Sequence, residues 1–198
     1  TLAITAKAKQ MKKEGIPVIG FGSGEPDFDT PIHIKKAGIN AIEVGHTKYT
    51  PASGIIELKQ AVANKLKKDN GLNYDASQVV ISCGAKHSIY NIIQAVCNKG
   101  DEVLIPAPYW VSYPEMAHLA EAVPVIIDTK EANEFKLTPE LLKKNITKKT
   151  KVLILNSPSN PTGSVYTEKE LKELGEILED LDIYIISDEI YEKIIYDE

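Results

Sequence analysis

Four stretches of the sequence put chemically capable residues where strands run out. The run Ile183-Tyr-Ile-Ile-Ser-Asp-Glu-Ile-Tyr191 reads as a strand buried on both faces, leading into Asp188 and Tyr191 with no Gly or Pro between. Asn160 lies between Pro158 and Pro161, so a stiff backbone aims its amide. Trp110, the only tryptophan, follows Pro108 and Tyr109. Gly84 and Ala85 precede a helix, where small residues let an anion approach free N–H groups and the positive dipole end. Each has a plain structural reading on its own: Asp188 as the cap of a following turn, Asn160 as a surface turn, Trp110 as core filler, Gly84-Ala85 as an ordinary connection. Together they make an anion cradle, an aromatic plate, a neutral amide, a carboxylate and a phenol. That set suits a planar, phosphorylated, nitrogen-containing ring, with the acid against a ring N–H⁺ and the amide and phenol on a ring oxygen. Pyridoxal phosphate meets those demands, since its electron-sink chemistry depends on a ring nitrogen kept protonated by an acid. Bare nucleotides fit less well: no Walker lysine–serine pair and no ribose-binding acid is visible.

The elements that must position these residues alternate. Residues 1–15 read as an amphipathic helix stopped by Gly15, and Pro17–Phe21 as a short extended piece. Thr30 and Pro31 predict an N-cap and first position for a helix to Val44, and Ile55–Asn70 a further helix stopped by Gly71. Strands are expected at 78–82, 102–106, 123–127, 151–155 and from 183. Helices are expected over 86–98, from the Pro108–Pro114 stretch to Ala122, 138–146 and, from the capping box Thr167-Glu-Lys-Glu170, to Leu181. Strands separated by helices imply βαβ crossovers and a mostly parallel sheet, hence an α/β fold. In such a sheet all strand ends that carry the candidates share one edge, where open α/β sheets bind ligands.

Composition narrows the function classes. The 198 residues are 43% hydrophobic and 26% charged, with net charge −5, a profile of a water-soluble globular chain. Mild acidity makes no case for nucleic acid or an anionic membrane as partner. The lysines, scattered among glutamates at helix spacing, read as solvated faces. Cys83 and Cys97 have neither metal-ligand spacing nor a CxxC pattern and read as small hydrophobes in a reducing, cytoplasmic setting. His46 has no partner at metal-binding spacing. Gly22-Ser-Gly24 opens no phosphate-cradling helix, which excludes a dinucleotide fingerprint.

At this point Gly22-Ser-Gly-Glu-Pro-Asp-Phe-Asp-Thr-Pro31, Lys48-Tyr49, Cys83-Gly-Ala-Lys86, Pro108-Tyr-Trp110, Asn156-Ser-Pro-Ser-Asn-Pro-Thr-Gly163 and Ser187-Asp-Glu-Ile-Tyr191 come into view together. In that order they resemble the class I, fold type I, pyridoxal-phosphate-dependent aminotransferases, with the bacterial aspartate aminotransferase branch the nearest look. The resemblance implies a three-layer α/β/α large domain over residues 33–198, with residues 1–32 belonging to a small domain. It implies that the backbone of Gly84, Ala85 and Lys86 holds the cofactor phosphate and that Trp110 stacks on the ring. Asn160 and Tyr191 bind its 3′ oxygen, and Asp188 pairs with its nitrogen. Tyr49 reaches the phosphate of a neighbouring subunit, which implies a homodimer with composite sites. Gly24, Trp110, Asn160 and the Lys86 side chain lie near substrate, the last at the distal carboxylate of a dicarboxylic acid, and Thr1 matches a residue with a similar part. The implied reaction is ping-pong transamination between an L-amino acid, aspartate by this look, and a 2-oxo acid such as 2-oxoglutarate. A lyase on the same scaffold, or a non-catalytic fragment, is the alternative.

The sequence departs from the family pattern in two ways. Ala85 stands where glycine or a hydroxyl residue is common, although the backbone N–H survives that change. The Schiff-base lysine and the substrate arginine both fall beyond Tyr191 in the family, and Lys193 is too close to Tyr191 to be that lysine. No catalytic residue is therefore expected within the chain, which reads as the N-terminal piece of a longer enzyme. The family's sheet also sets two later strands between the strand at 78–82 and the one from 183, so a gap of about 14 Å is expected there.

Overall fold

The computed structural model describes residues 2–19, 24 and 28–196. The chain divides into two compact units, Thr1–Thr50 and Pro51–Glu198. In the first, helix α1 (Leu2–Lys13) carries Lys12 and Lys13 in its last turn, where cations complement the dipole, and ends at Gly15 with φ 77°. Helix α2 (Ile32–Glu43) starts one residue later than Thr30-Pro31 predicts. The Thr30 N–H is engaged by the Asp29 carboxylate, and Pro31, with ψ 139°, takes the cap position. Pro17–Ile19 is irregular backbone, and the rest of that expected extended piece lies outside the described residues.

The second unit holds a four-stranded, wholly parallel sheet in the order β2-β1-β3-β4. Its strands are β1 (Glu102–Ala107), β2 (Val123–Asp128), β3 (Thr150–Asn156) and β4 (Tyr184–Asp188). Alternation of side chains across the sheet sorts the core into two halves. Val103, Ile105, Val152, Ile154 and Ile186 pack against Ile89 and Ile93 of α4 (Ala85–Val96) and Tyr113, Met116 and Ala117 of α5 (Ser112–Leu119). Leu104, Leu153 and Leu155 pack on the other face against Leu142 of α6 (Pro139–Asn145) and Leu174 and Leu178 of α7 (Glu168–Leu178). Helices thus cover both faces, the three layers expected. The caps of α6 by Thr138 and of α7 by the Thr167–Glu170 box are as the sequence predicts. Helices α5 and α7 end about three residues early; after α5, Glu121 turns the chain with φ 56°.

Two strand expectations are corrected. Residues 79–82 join no ladder among the described residues, although Val79 is extended at φ −107°, ψ 131°, because no strand lies beside them to accept their hydrogen bonds. Gln78 belongs to a short 3₁₀ turn capped by Asp75. Strand β4 is not buried on both faces: Ile186 and Asp188 face α4 and α5, while Ile185 and Ser187 on the other face are exposed. With β3 as its one neighbour among the described residues, β4 is the edge of this sheet.

The unpaired 79–82 segment is held from another direction. The Ile81 N–H donates to the Ser53 carbonyl at 3.0 Å, and Ile81 lies over Gly54, itself at φ 97° just before α3 (Ile56–Asn70). A Cβ at position 54 meets Ile81 Cγ1 at 2.5 Å. Gly54→Ala therefore adds left-handed strain to an overlap, and a loss of about 2–4 kcal/mol is expected in chemical denaturation of the full-length protein.

Candidate active site

Helix α4 starts in the open. Gly84 sits at φ 83°, ψ 167°, a backbone region that only glycine enters freely, and no side chain caps the helix. The Ala85 and Lys86 N–H groups have no acceptor among the described residues, and a Cβ placed on Gly84 meets nothing within 4 Å. Two free amides at the positive end of a twelve-residue helix make an anion site.

Across from it, β4 delivers Asp188. Asp188 shares its sheet face with Ile186, the face covered by α4 and α5, and is 8% exposed. Its Oδ2 accepts the Tyr113 hydroxyl at 2.6 Å and its Oδ1 the Ile190 N–H at 3.3 Å. Among the described residues no cation pairs with this buried carboxylate. Tyr113 is 2% exposed; burial, reinforced by the hydrogen bond to Asp188 and its charge, pushes its hydroxyl well above the usual phenol range, so it stays a donor. Trp110 meets Tyr113 edge to face, with ring centroids 5.4 Å apart and planes at 84°. The Lys86 ammonium lies 4.9 Å from the Trp110 ring centre.

Asn156, the last residue of β3, ties these parts together. It is in register with Asp188 across the ladder. Its Nδ2 donates to the Asp188 carbonyl at 2.9 Å, while its Oδ1 accepts the Asn160 N–H at 2.7 Å. The Asn160 amide is thereby brought to the Tyr191 hydroxyl, at 3.5 Å. That distance is the outer limit of a hydrogen bond, which leaves both groups available to a common acceptor.

Of the residues singled out in the sequence, Gly84, Ala85, Lys86, Trp110, Asn160, Asp188 and Tyr191 line one cleft of about 280 Å³. Small-molecule sites begin at roughly this size. Tyr49 belongs to the other unit and is fully exposed. Gly24 is also in that unit and is exposed, and Thr1 lies outside the described residues. Tyr113 and Asn156 were missed. Tyr113 carried a signal, being three residues after Trp110 and so on the same side of a helical turn.

A family model described as aminotransferase class I and II matches residues 16–198. The chain belongs to this family. It is 54% identical over 196 residues to an aspartate aminotransferase of Bacillus subtilis (strain 168), a match covering 99% of this chain and 50% of that protein. It is 56% identical over 197 residues to a bifunctional aspartate aminotransferase and glutamate/aspartate-prephenate aminotransferase of Petunia hybrida, covering 99% and 41%. Aspartate aminotransferase from Thermus thermophilus, solved with maleate, matches with a TM-score of 0.96 at 42% identity, over 100% of this chain and 52% of that one. The chain thus spans about half the length of the curated relatives it matches.

Class I and II aminotransferases imply pyridoxal phosphate, and the donor set of this aminotransferase chain fits that group. A nine-tenths-buried carboxylate with no cation beside it calls for a cationic N–H, since an isolated buried charge is costly. Free helix amides call for a phosphate, and the half-buried Trp110 ring lining the same cleft suits a flat ring. Among the described residues no cluster of three or more His, Cys, Asp and Glu side chains could hold a metal ion. No helix among them is long and apolar enough to cross a membrane.

Proposed function

We propose that the chain is the cofactor-binding part of a pyridoxal-phosphate-dependent aspartate aminotransferase, exchanging amino groups between an L-amino acid and a 2-oxo acid by a ping-pong reaction. The observation that carries this is Asp188, a buried acid held by Tyr113 in the same cleft as the α4 amides and Trp110. When bound, pyridoxal phosphate supplies an electron sink for charge developing at the substrate Cα. Asp188 holds a proton on the ring nitrogen, and Tyr113 fixes the orientation of Asp188 by donating to Oδ2. Ala85 and Lys86 bind the phosphate through backbone N–H groups; the Gly84 N–H, expected from the sequence to join them, is instead donated to the Ser82 carbonyl at 2.9 Å, and Gly84 contributes the open turn. Asn160 and Tyr191 hydrogen-bond the ring oxygen, and Trp110 covers the ring and excludes water. Gly24 meets the substrate carboxylate, and Tyr49 of a second copy completes the phosphate site in a cytoplasmic homodimer. Residues 1–32 belong to the small domain and 33–198 to the large one.

A dicarboxylic substrate is favoured by two facts. The Lys86 ammonium stands at the cleft beside Trp110, and the similar Thermus thermophilus enzyme was solved with maleate, a dicarboxylate. A panel of amino acids assayed with 2-oxoglutarate on the full-length protein tests the reading. Aspartate is expected to give its 2-oxo acid matched by glutamate; release of ammonia or an alkene in place of glutamate overturns it. Lys86→Ala is expected to raise KM for aspartate about two- to fivefold, the range of an exposed charge pair, with alanine turnover unchanged.

A further inference from the structure

Lys136 is the one lysine buried among the described residues, 8% exposed, in a chain whose other lysines read as solvated. Its ammonium lies 2.7 Å from a carboxylate oxygen of Glu134 and 2.7 Å from one of Glu170. The lysine is buried but its acids reach solvent, Glu134 at 73% and Glu170 at 34% side-chain exposure, so these pairs add little stability and their use is better sought in what they hold in place. The backbone beside Lys136 is strained: Glu134 and Phe135 are consecutive left-handed residues, at φ 53° and 56°, and neither is glycine. Such a conformation persists only where its surroundings over-determine it.

Those surroundings are the loop between β3 and α7, which carries Asn160. The Ser164 Oγ donates to the Glu134 carbonyl at 2.5 Å, and the Leu137 N–H donates to the Tyr166 hydroxyl at 2.7 Å. Glu170, the acid that takes Lys136, also caps α7 by accepting from the Thr167 N–H at 2.7 Å. Inside the loop, Ser159 N–H to Ser164 O and Gly163 N–H to Ser159 O close a tight ring next to Asn160. The seam between Phe135, Lys136 and the loop leaves a cavity of only about 20 Å³, room for one water.

We propose that residues 134–137 form a clasp on the Asn160 loop, with Lys136 as a positioning residue that keeps the Asn160 amide on the cofactor's ring oxygen. Lys136 does not touch that oxygen; it acts through Glu170, Ser164 and Tyr166 on a loop whose other end Asn156 already fixes. The proposal rests on the role given to Asn160 above.

The test uses the full-length protein with Lys136→Met and, as the milder change, Tyr166→Phe. In the cofactor-free form, amide hydrogen exchange over residues 159–164 is expected to quicken in both variants. After reconstitution, the pH midpoint of the bound cofactor's visible absorption is expected to rise by about half a pH unit, because a ring oxygen that loses its donor holds a nearby proton more tightly. Asn160→Ala alone should raise it as well, and neither clasp variant should raise it further in an Asn160→Ala background. Lys136→Arg should restore the midpoint. Unchanged exchange in both variants overturns the clasp. A midpoint that moves with Asn160→Ala but with neither clasp variant overturns it too, leaving the cofactor reading intact. A midpoint that ignores Asn160→Ala overturns the role of Asn160 and the clasp's purpose with it.

Discussion

Asp188→Asn in the full-length enzyme is expected to lower kcat by on the order of 10³-fold, about 4 kcal/mol of barrier, while leaving the fold intact. The two halves of that expectation have separate causes. An asparagine can still accept the Ile190 N–H through Oδ1, while its Nδ2, in the place of Oδ2, donates to the Tyr113 hydroxyl oxygen, so both contacts persist with the second reversed in direction. What disappears is the negative charge that keeps a ring nitrogen protonated. In the cofactor-free protein that charge is buried with no cation beside it among the described residues, so its removal should leave thermal stability unchanged or raise it. Tyr113→Phe does the reverse: the charge stays, and one hydrogen bond to it goes, for an expected loss of about tenfold. Kinetics and melting of both variants check the assignment. Near-normal turnover of Asp188→Asn sinks it, and a collapse in its melting temperature makes Asp188 a structural residue instead.

What the sequence disclosed, and what it withheld, follows from the range of the interactions. Asp188 was legible because the β-branched run before it is local, and so is the small-residue entry to α4. Burial of β4 was misjudged because burial on a second face depends on what packs over it, and nothing among the described residues covers Ile185 and Ser187. Residues 79–82 have the alternation of a strand, Val79 buried and Val80 exposed, yet a strand without a partner forms no ladder. Tyr113 meets Asp188 across 75 positions of sequence, and Asn156 reaches it through a parallel register that no local pattern states. Lys136 is the sharpest case. Its type argues for solvent, and only the convergence of Glu134 and Glu170 on one buried ammonium explains its place.

The second large effect is expected at Gly84, where Gly84→Val should weaken pyridoxal phosphate binding by on the order of 10²-fold, about 3 kcal/mol. The open space around the glycine makes this a clean experiment. A Cβ there meets no atom within 4 Å, so overlap with the rest of the chain contributes nothing. The penalty comes from the backbone, since φ 83° with ψ 167° excludes a β-branched residue. Relief of that strain rotates the peptide that precedes Ala85 and swings the free N–H groups off the anion they would bind. Strain carried entirely by the folded state lowers stability, whereas strain relieved by reshaping the turn lowers cofactor affinity. Measuring the cofactor Kd and the denaturation midpoint of the cofactor-free protein together separates the two. An unchanged Kd with a lowered midpoint refutes the phosphate site at the head of α4. A weakened Kd with a preserved midpoint, shared by Gly84→Ala because any Cβ is strained at this φ and ψ, locates the phosphate at the Ala85 and Lys86 amides.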